Sequence, residues 1–577
     1  MLQKRQFTER YLIMACLALL LLGSMIAYHN SFAGTFIFDD HTAITGNGKI
    51  RSLAWPWQFL QNERRPFLYL TFALNYAVGQ LDPFGYHVVN LGIHLLAGML
   101  LFGVIYETLT RYLARLFSSR EAMGLSLSVG LLWLLHPVQT ASVTYLVQRA
   151  ESLSGMFYFL TVFSAIHFFH HQKKRWLIFA GMSCLLGGLS KEVIFTAPLV
   201  ILLYDRAFAA KSFRESWRRH QTLYVVFSMT MLVMMTLLLS TQSEVVPTAG
   251  FGFKGISPWQ YLLNQSKSIC HYLKLSVWPQ PLIFDYEWPV LSVAKLWLFV
   301  MFFLVMLSSA IIVYSKNSIL GFAALIFFVL LAPSSSFIPL KDLVFEHRLY
   351  LPLSCVVIYF VFGGWWLLRQ IVKSNSVRTF LGVACVLVVV AGFGWLTYQR
   401  NKDYRSEMIM WQDTAQKMPE NSRAYNNLGK EFLEREKVDE AILYLKRSAQ
   451  LNPTYPDCYV NLCTAFSKKA RFDDALTYCQ KALDLAPDYA VAHNNLGATL
   501  SSLGRFEESI EHFEKALELG FREPGVYLNL GIAQAQTGQP YRAIKSLEQS
   551  LRLDPQLQDA RVYIQQIKEK LAQEKPH

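Results

Sequence analysis

Two hydrophobicity patterns divide the chain near residue 400. Before it come unbroken apolar runs; after it, apolar residues recur every three or four positions among charged ones, as in amphipathic helices packed on one another. Runs of about 20 apolar residues, the length of a membrane-spanning helix, begin near Tyr11, Val88, Ala122, Ser152, Trp176, Val193, Gln221, Leu291, Ser318, Leu349 and Val377. They predict about eleven transmembrane helices, with 176–204 a single apolar stretch interrupted by Lys191 and Glu192. The expected fold class is all-α: a polytopic membrane domain followed by a helical solenoid.

The second pattern repeats. Segments starting at Ser422, Pro456, Ala490 and Pro524 align at a period of 34 residues, with Asn-Leu recurring at 427, 461, 495 and 529. Gly429, Gly497 and Gly531 keep a small residue on the first helix of each unit, and Ala441, Ala475 and Ala543 keep one on the second. This is the signature of tetratricopeptide repeats, stacked helix pairs with a concave face that binds peptides or partner proteins. The expected organisation is a membrane domain over 1–398, a linker with half a repeat over 399–421, four repeats over 422–557 and a cap helix over 558–577.

Charge orients the membrane part. Residues 400–577 hold 24 basic and 25 acidic residues, so the net charge of +13, from 54 basic and 41 acidic residues in all, belongs to the first part. There the basic residues fall on alternate connections: the N-terminus, 111–120, 170–176, 205–220, 315–318 and 369–378. The positive-inside rule makes these cytoplasmic, and no nucleic-acid partner is implied. The connections at 29–87, 140–151, 190–192, 241–290 and 333–348, and everything after Leu396, then face outward. Ser31-Phe32-Ala33 resembles a signal-peptide cleavage site, but the apolar run before it is longer than a usual signal sequence. The eight cysteines show no metal-binding spacing, and the neighbours Cys458, Cys463 and Cys479 are read as buried free thiols; one disulfide is the alternative if that part lies outside the cytoplasm.

The outward connections also carry the candidate chemistry. Asp39 and Asp40 stand side by side in an apolar setting; Arg64 and Arg65, His87, His136, Arg149 and Glu151, Lys191 and Glu192, and Glu346, His347 and Arg348 occupy other outer positions. A charge at membrane depth costs about 2.5–3.5 kcal/mol on insertion scales, so each needs a reason. Taken singly, the cations are interfacial side chains and His136, before Pro137, is a helix cap. Together they suit a lipid-linked phosphosugar, whose phosphate cations stabilise as a leaving group while a carboxylate deprotonates the attacking hydroxyl. No nucleotide-binding loop or HExxH motif is present.

The stretches "FIFDD", "RRPFLYLTFALNY", "YHVVNLGIHLL", "HPVQTASVTYLVQRAESLS", "LSKEVIFTAPLVILLYD" and "EHRLYLP", followed by the repeats, resemble the transmembrane-and-tetratricopeptide-containing (TMTC) O-mannosyltransferases and their bacterial relatives of the GT-C superfamily. The resemblance implies a GT-C fold, a polyprenyl-phosphate sugar donor as co-substrate, and a catalytic acidic motif at Asp39 and Asp40. It places Arg149, Glu151, Lys191, Glu192 and residues 346–348 around the donor and acceptor cavity. Animal members show Glu-Arg before Leu-Tyr; here His347 intervenes, which leaves open the basic group that meets the phosphate. The compact size fits a bacterial member in the inner membrane with its repeats in the periplasm. One aspartate, with Asp39 preferred, is expected as general base, and its neighbour to orient the acceptor or bind a divalent cation. The competing readings are transfer to a glycan or lipid acceptor, and a non-enzymatic membrane-anchored scaffold for envelope assembly.

Overall fold

A computed structural model of the chain describes residues 2–53, 63–240 and 256–573, with side chains from residue 9 onward; parts of the outer connections expected at 29–87 and 241–290 lie outside the described residues. The chain forms two compact units, Met1–Met410 and Trp411–His577.

The first unit is helical throughout its long elements: α1 (Leu2–Tyr28), α2 (Pro66–Gly79), α3 (Pro83–Tyr112), α4 (Ser119–Leu134), α5 (Arg149–His171), α6 (Lys174–Gly188), α7 (Ala197–Tyr204), α8 (Phe213–Ser240), α9 (Pro258–Val277), α10 (Val293–Lys316), α11 (Ser318–Leu331), α12 (Pro352–Ile371) and α13 (Asn375–Asn401). Local sequence sets many of the starts. Asp82 caps α3 by accepting from the Phe84 N–H, with Pro83 at the first turn. Ser118 with Glu121, and Ser257 with Gln260, form capping boxes for α4 and α9.

Among the described residues, seven helices are long and apolar enough to cross a membrane, or eight if α4 and the bent segment Pro137–Val143 count as one span. The expected count of eleven is not reached by this measure of length and apolarity. The other three runs fold as short helices: α6 has 15 residues, α7 has 8 and α11 has 14. Gly187-Gly188 and the charged pair Lys191-Glu192 divide α6 from α7, and α11 stops before Pro333, whose ring disfavours helix in the residue ahead of it. The bend after α4, 52°, falls at His136-Pro137.

In the second unit the repeats pair as α14 (Ser422–Glu434) with α15 (Val438–Leu451), α16 (Pro456–Lys468) with α17 (Phe472–Leu485), α18 (Ala490–Ser502) with α19 (Phe506–Glu518) and α20 (Pro524–Gln536) with α21 (Pro540–Leu553), followed by α22 (Gln558–Gln573). At Gly429, Gly497 and Gly531 a Cβ would collide with Leu445, Phe513 and Leu547 respectively, so these glycines are where the two helices of a repeat come closest. In the second repeat the same two positions are Cys463 and Cys479, and they form a disulfide. The free-thiol reading therefore holds for Cys458 and fails for the other two, because the register that brings a glycine onto a large side chain brings these two sulfurs together.

Candidate functional site

The Asp39–Asp40 loop leaves α1 and is pinned by its own apolar flanks. Ile37, Ile44 and Ile50 are buried, and Ile44 and Ile50 share a core with Leu68, Phe72, Tyr86 and Leu146. Phe38, just ahead of the pair, sits at φ 47°, a left-handed conformation that a bulky residue adopts only when its surroundings impose it. Its N–H donates to Glu407 Oε1 at 2.6 Å.

The two aspartates meet opposite environments. Asp40 is fully buried; its Oδ2 accepts from the Ile37 N–H at 3.0 Å and its Oδ1 from the Val147 N–H at 2.7 Å, which ties the loop to the start of α5. Burial pushes its carboxyl up to about 8, against those two donors, which favour the ionised form. Asp39 is exposed, and its backbone N–H donates to the Tyr145 hydroxyl at 3.1 Å. Burial of its surroundings raises its carboxyl above the ordinary range, while Tyr145 and Lys341 pull the other way.

Around Asp39, ionisable side chains from several connections gather, some in direct ion pairs and others within electrostatic reach. Tyr69 on α2 lies within electrostatic reach of both Asp39 and Arg65. Arg65 pairs with Glu192 at 3.1 Å, Lys191 pairs with Glu151 at 2.6 Å, and His347 Nε2 is 4.0 Å from the same Glu151. Burial first, then the fields of Lys191, Arg348 and Arg65, hold the His347 imidazole well below its ordinary range, so it is neutral among three cations. Arg348 donates to the backbone oxygens of Leu343 at 3.0 Å and Asp342 at 2.9 Å. Asp342 and Lys341 in turn lie within electrostatic reach of Asp39. Helix α9 braces this last segment: Gln265 and Ser268 donate to Leu343 O, and Tyr272 accepts from the Phe345 N–H.

The remaining expected site residues lie elsewhere in this framework. Arg149 is fully buried and donates to Asn90 Oδ1, Asn75 Oδ1, Thr71 O and Oγ1, and Tyr86 O, with Phe72 stacked 4.7 Å from its guanidinium. It binds α5 to α2 and α3. His136 Nδ1 accepts from the Val138 N–H and Nε2 bonds Ser276 O, so it caps the bend after α4. Glu346 accepts from the Ile283 N–H and the Tyr286 hydroxyl and lies 3.8 Å from Arg400. His87 is buried beside Gly34, and Arg64 is exposed. Tyr69, Tyr145, Lys341, Asp342 and Glu407 were absent from the sequence-based set; only Lys341-Asp342, a charged pair on the same outer connection as residues 346–348, carried a signal.

Among the described residues no three His, Cys, Asp or Glu side chains converge as a metal-binding set, and both Asp40 oxygens are taken by backbone N–H groups. No step below is routed through a metal ion.

Tetratricopeptide-repeat family models match residues 422–455, 458–520 and 524–557. Protein O-mannosyl-transferase TMTC3 of Homo sapiens is 25% identical over 483 residues, covering 74% of this chain and 50% of the relative. TMTC4 of Mus musculus is 26% identical over 492 residues, covering 73% and 64%. Tmtc1 of Drosophila melanogaster is 31% identical over 198 residues, covering 32% and 22%. The chain is similar in sequence to these TMTC proteins. It spans about half to two thirds of the length of TMTC3 and TMTC4. Among solved structures, a tetratricopeptide-repeat protein of Thermus thermophilus is 20% identical, with a TM-score of 0.26, covering 30% of this chain and 93% of its own.

Proposed function

We propose that this chain transfers a sugar from a polyprenyl-phosphate donor to a hydroxyl of a protein acceptor at the extracytoplasmic face of the membrane. The observation that carries the reading is this gathering of ionisable side chains: Arg65, Lys191 and Arg348, from three separate connections, surround a neutral His347, and Tyr69 on one side and Asp342 on the other lie within electrostatic reach of an exposed Asp39. The resemblance to proteins named O-mannosyl-transferases supports the same chemistry.

In this reading the ionised Asp39 carboxylate takes the proton of a Ser or Thr hydroxyl. The hydroxyl oxygen bonds to the anomeric carbon as the bond from that carbon to the donor phosphate oxygen breaks, and the phosphate leaves with the electron pair. Arg65, Lys191 and Arg348 stabilise its charge, already fixed in place by Glu192, Glu151 and the 342–343 carbonyls, so little reorganisation accompanies the transition state. The polyprenyl tail lies among the apolar helices, and the repeats present the acceptor. The disulfide within the repeats supports an oxidising, extracytoplasmic setting for them.

The test is transfer from a synthetic polyprenyl-phosphate hexose to peptide by purified protein. Asp39→Asn should lower the rate by about 10²–10⁴, the range for loss of a general base. Undiminished transfer by the variant would reject the assignment.

A further inference from the structure

A cavity of about 800 Å³ opens among α4, α9, α12 and α13, lined by residues that take no part in the candidate site. Its walls are apolar: Leu125, Leu132, Val361, Val386, Val389 and Phe393 among them. Along α13 it reaches from Thr379 to Phe393, about 21 Å at 1.5 Å per residue, more than half of a hydrocarbon core about 30 Å thick.

Two features distinguish it from an ordinary lipid-facing surface. Gly124 and Gly364 line it, and a Cβ at either would meet nothing within 4 Å, so the wall is recessed where a larger residue would fit. One end is cationic. There Arg120 begins α4, Arg369 ends α12 and Arg378 begins α13, all at the same end of the three helices, with Glu121 the carboxylate among them, 2.7 Å from Arg369. Trp365 stands between the guanidinium groups of Arg378 and Arg369, 5.3 Å and 5.7 Å from its ring. Arg120 is exposed. Arg369 is spent on Glu121 and on Leu116 O, which both its terminal nitrogens reach at 3.2 Å, so Arg120 and Arg378, at the mouth of an apolar groove, are the cations that complement an anionic headgroup carrying a chain.

We infer that this groove binds an anionic membrane phospholipid, with its phosphate at Arg120 and Arg378 and an acyl chain along Gly124, Gly364 and Phe393. The cationic end belongs to connections that carry the basic excess and not to the aspartate face, so this lipid is separate from the sugar donor and does not depend on the proposed transfer.

The experiment is native mass spectrometry of the purified full chain in micelles doped with phosphatidylglycerol or, at equal concentration, phosphatidylcholine. The wild type should retain phosphatidylglycerol preferentially. Arg120→Gln and Arg378→Gln should each cut that preference about five-fold, the weight of one basic residue near an anionic headgroup. Gly364→Leu should reduce retention of both lipids by filling the groove. Equal retention of the two lipids by the wild type, or a preference untouched in both arginine variants, overturns the inference. So does recovery of a polyprenyl phosphate as the lipid lost from Gly364→Leu. If Gly364→Leu does not yield monodisperse protein, the arginine variants decide alone.

Discussion

Asp39 and Asp40 share a peptide bond and almost nothing else, so their substitutions should separate. Asp39→Asn should lower transfer and leave the melting temperature near that of the wild type, because the side chain is exposed. Asp40→Asn should act on stability: the replacement keeps one acceptor oxygen and turns a donor toward the Ile37 or Val147 N–H. The pH dependences differ in sign. In the proposed reaction Asp39 acts as the ionised base, and desolvation by its surroundings raises its carboxyl, so transfer should climb with pH through a midpoint above the ordinary carboxylate value of about 4. A midpoint at or below that value would contradict it. The Asp40 carboxyl stands at about 8 in the folded chain, so the stability it contributes is complete below its unfolded value near about 4 and is lost as pH rises toward about 8. The melting temperature of the wild type relative to Asp40→Asn should therefore fall between pH 5 and 8. Arg149 extends the same lesson. Its donors are all spent on α2 and α3, so Arg149→Met should destabilise strongly, about 1–3 kcal/mol for each buried acceptor left unpaired, with any loss of transfer following from loss of fold. Nothing in "LVQRAES" distinguishes a guanidinium that meets a phosphate from one that ties three helices together; the distinction rests on Thr71, Asn75, Tyr86 and Asn90, 59–78 residues away.

Helices and repeats were more legible. The capping residues Asp82, Ser118 and Ser257 and the 34-residue period mark their elements locally, since a cap or a knob-and-gap contact involves neighbours within a turn or one repeat. Two things were not. Run length alone cannot show that the stretch from 176 to 204 breaks into two short helices, because the break comes from two glycines and a charged pair held by Arg65 and Glu151 from other segments. Helix α9 lay hidden in an outer connection, its inward face mixing polar with apolar residues: Asn264, Gln265 and Ser268 are buried beside Tyr261, Ile269, Tyr272 and Leu275, and donate to or accept from the backbone of other segments. At this scale the disulfide makes a prediction from register. Cys463→Gly with Cys479→Leu recreates the pair found in the first and fourth repeats and should melt close to the wild type. Cys463→Gly alone leaves a small thiol against a glycine, a cavity costing about 1–3 kcal/mol. Thermal unfolding of the two variants, monitored by circular dichroism, compares them directly.

At the scale of the whole molecule the division into Met1–Met410 and Trp411–His577 allows the two parts to be tested apart. Removing residues 422–577 should abolish transfer to a protein acceptor while donor binding persists; undiminished glycosylation of the same acceptor would exclude the repeats from its delivery. Sidedness has its own check: a cysteine in place of Tyr541, which is 74% exposed, should react in intact cells with a thiol reagent that does not cross the membrane. The sequence by itself determined that the first part lives in a membrane, that the second is a tetratricopeptide array, and where charges punctuate the apolar runs. Each of these depends on run length, period or composition, which are properties of neighbouring residues. The tertiary structure alone decided which charges meet, which aspartate is exposed and which is buried, and that Tyr69, Lys341 and Asp342 lie within electrostatic reach of Asp39. Those contacts join segments up to three hundred residues apart, and the chain path between such segments is set by the packing of all the helices together, which no local window contains.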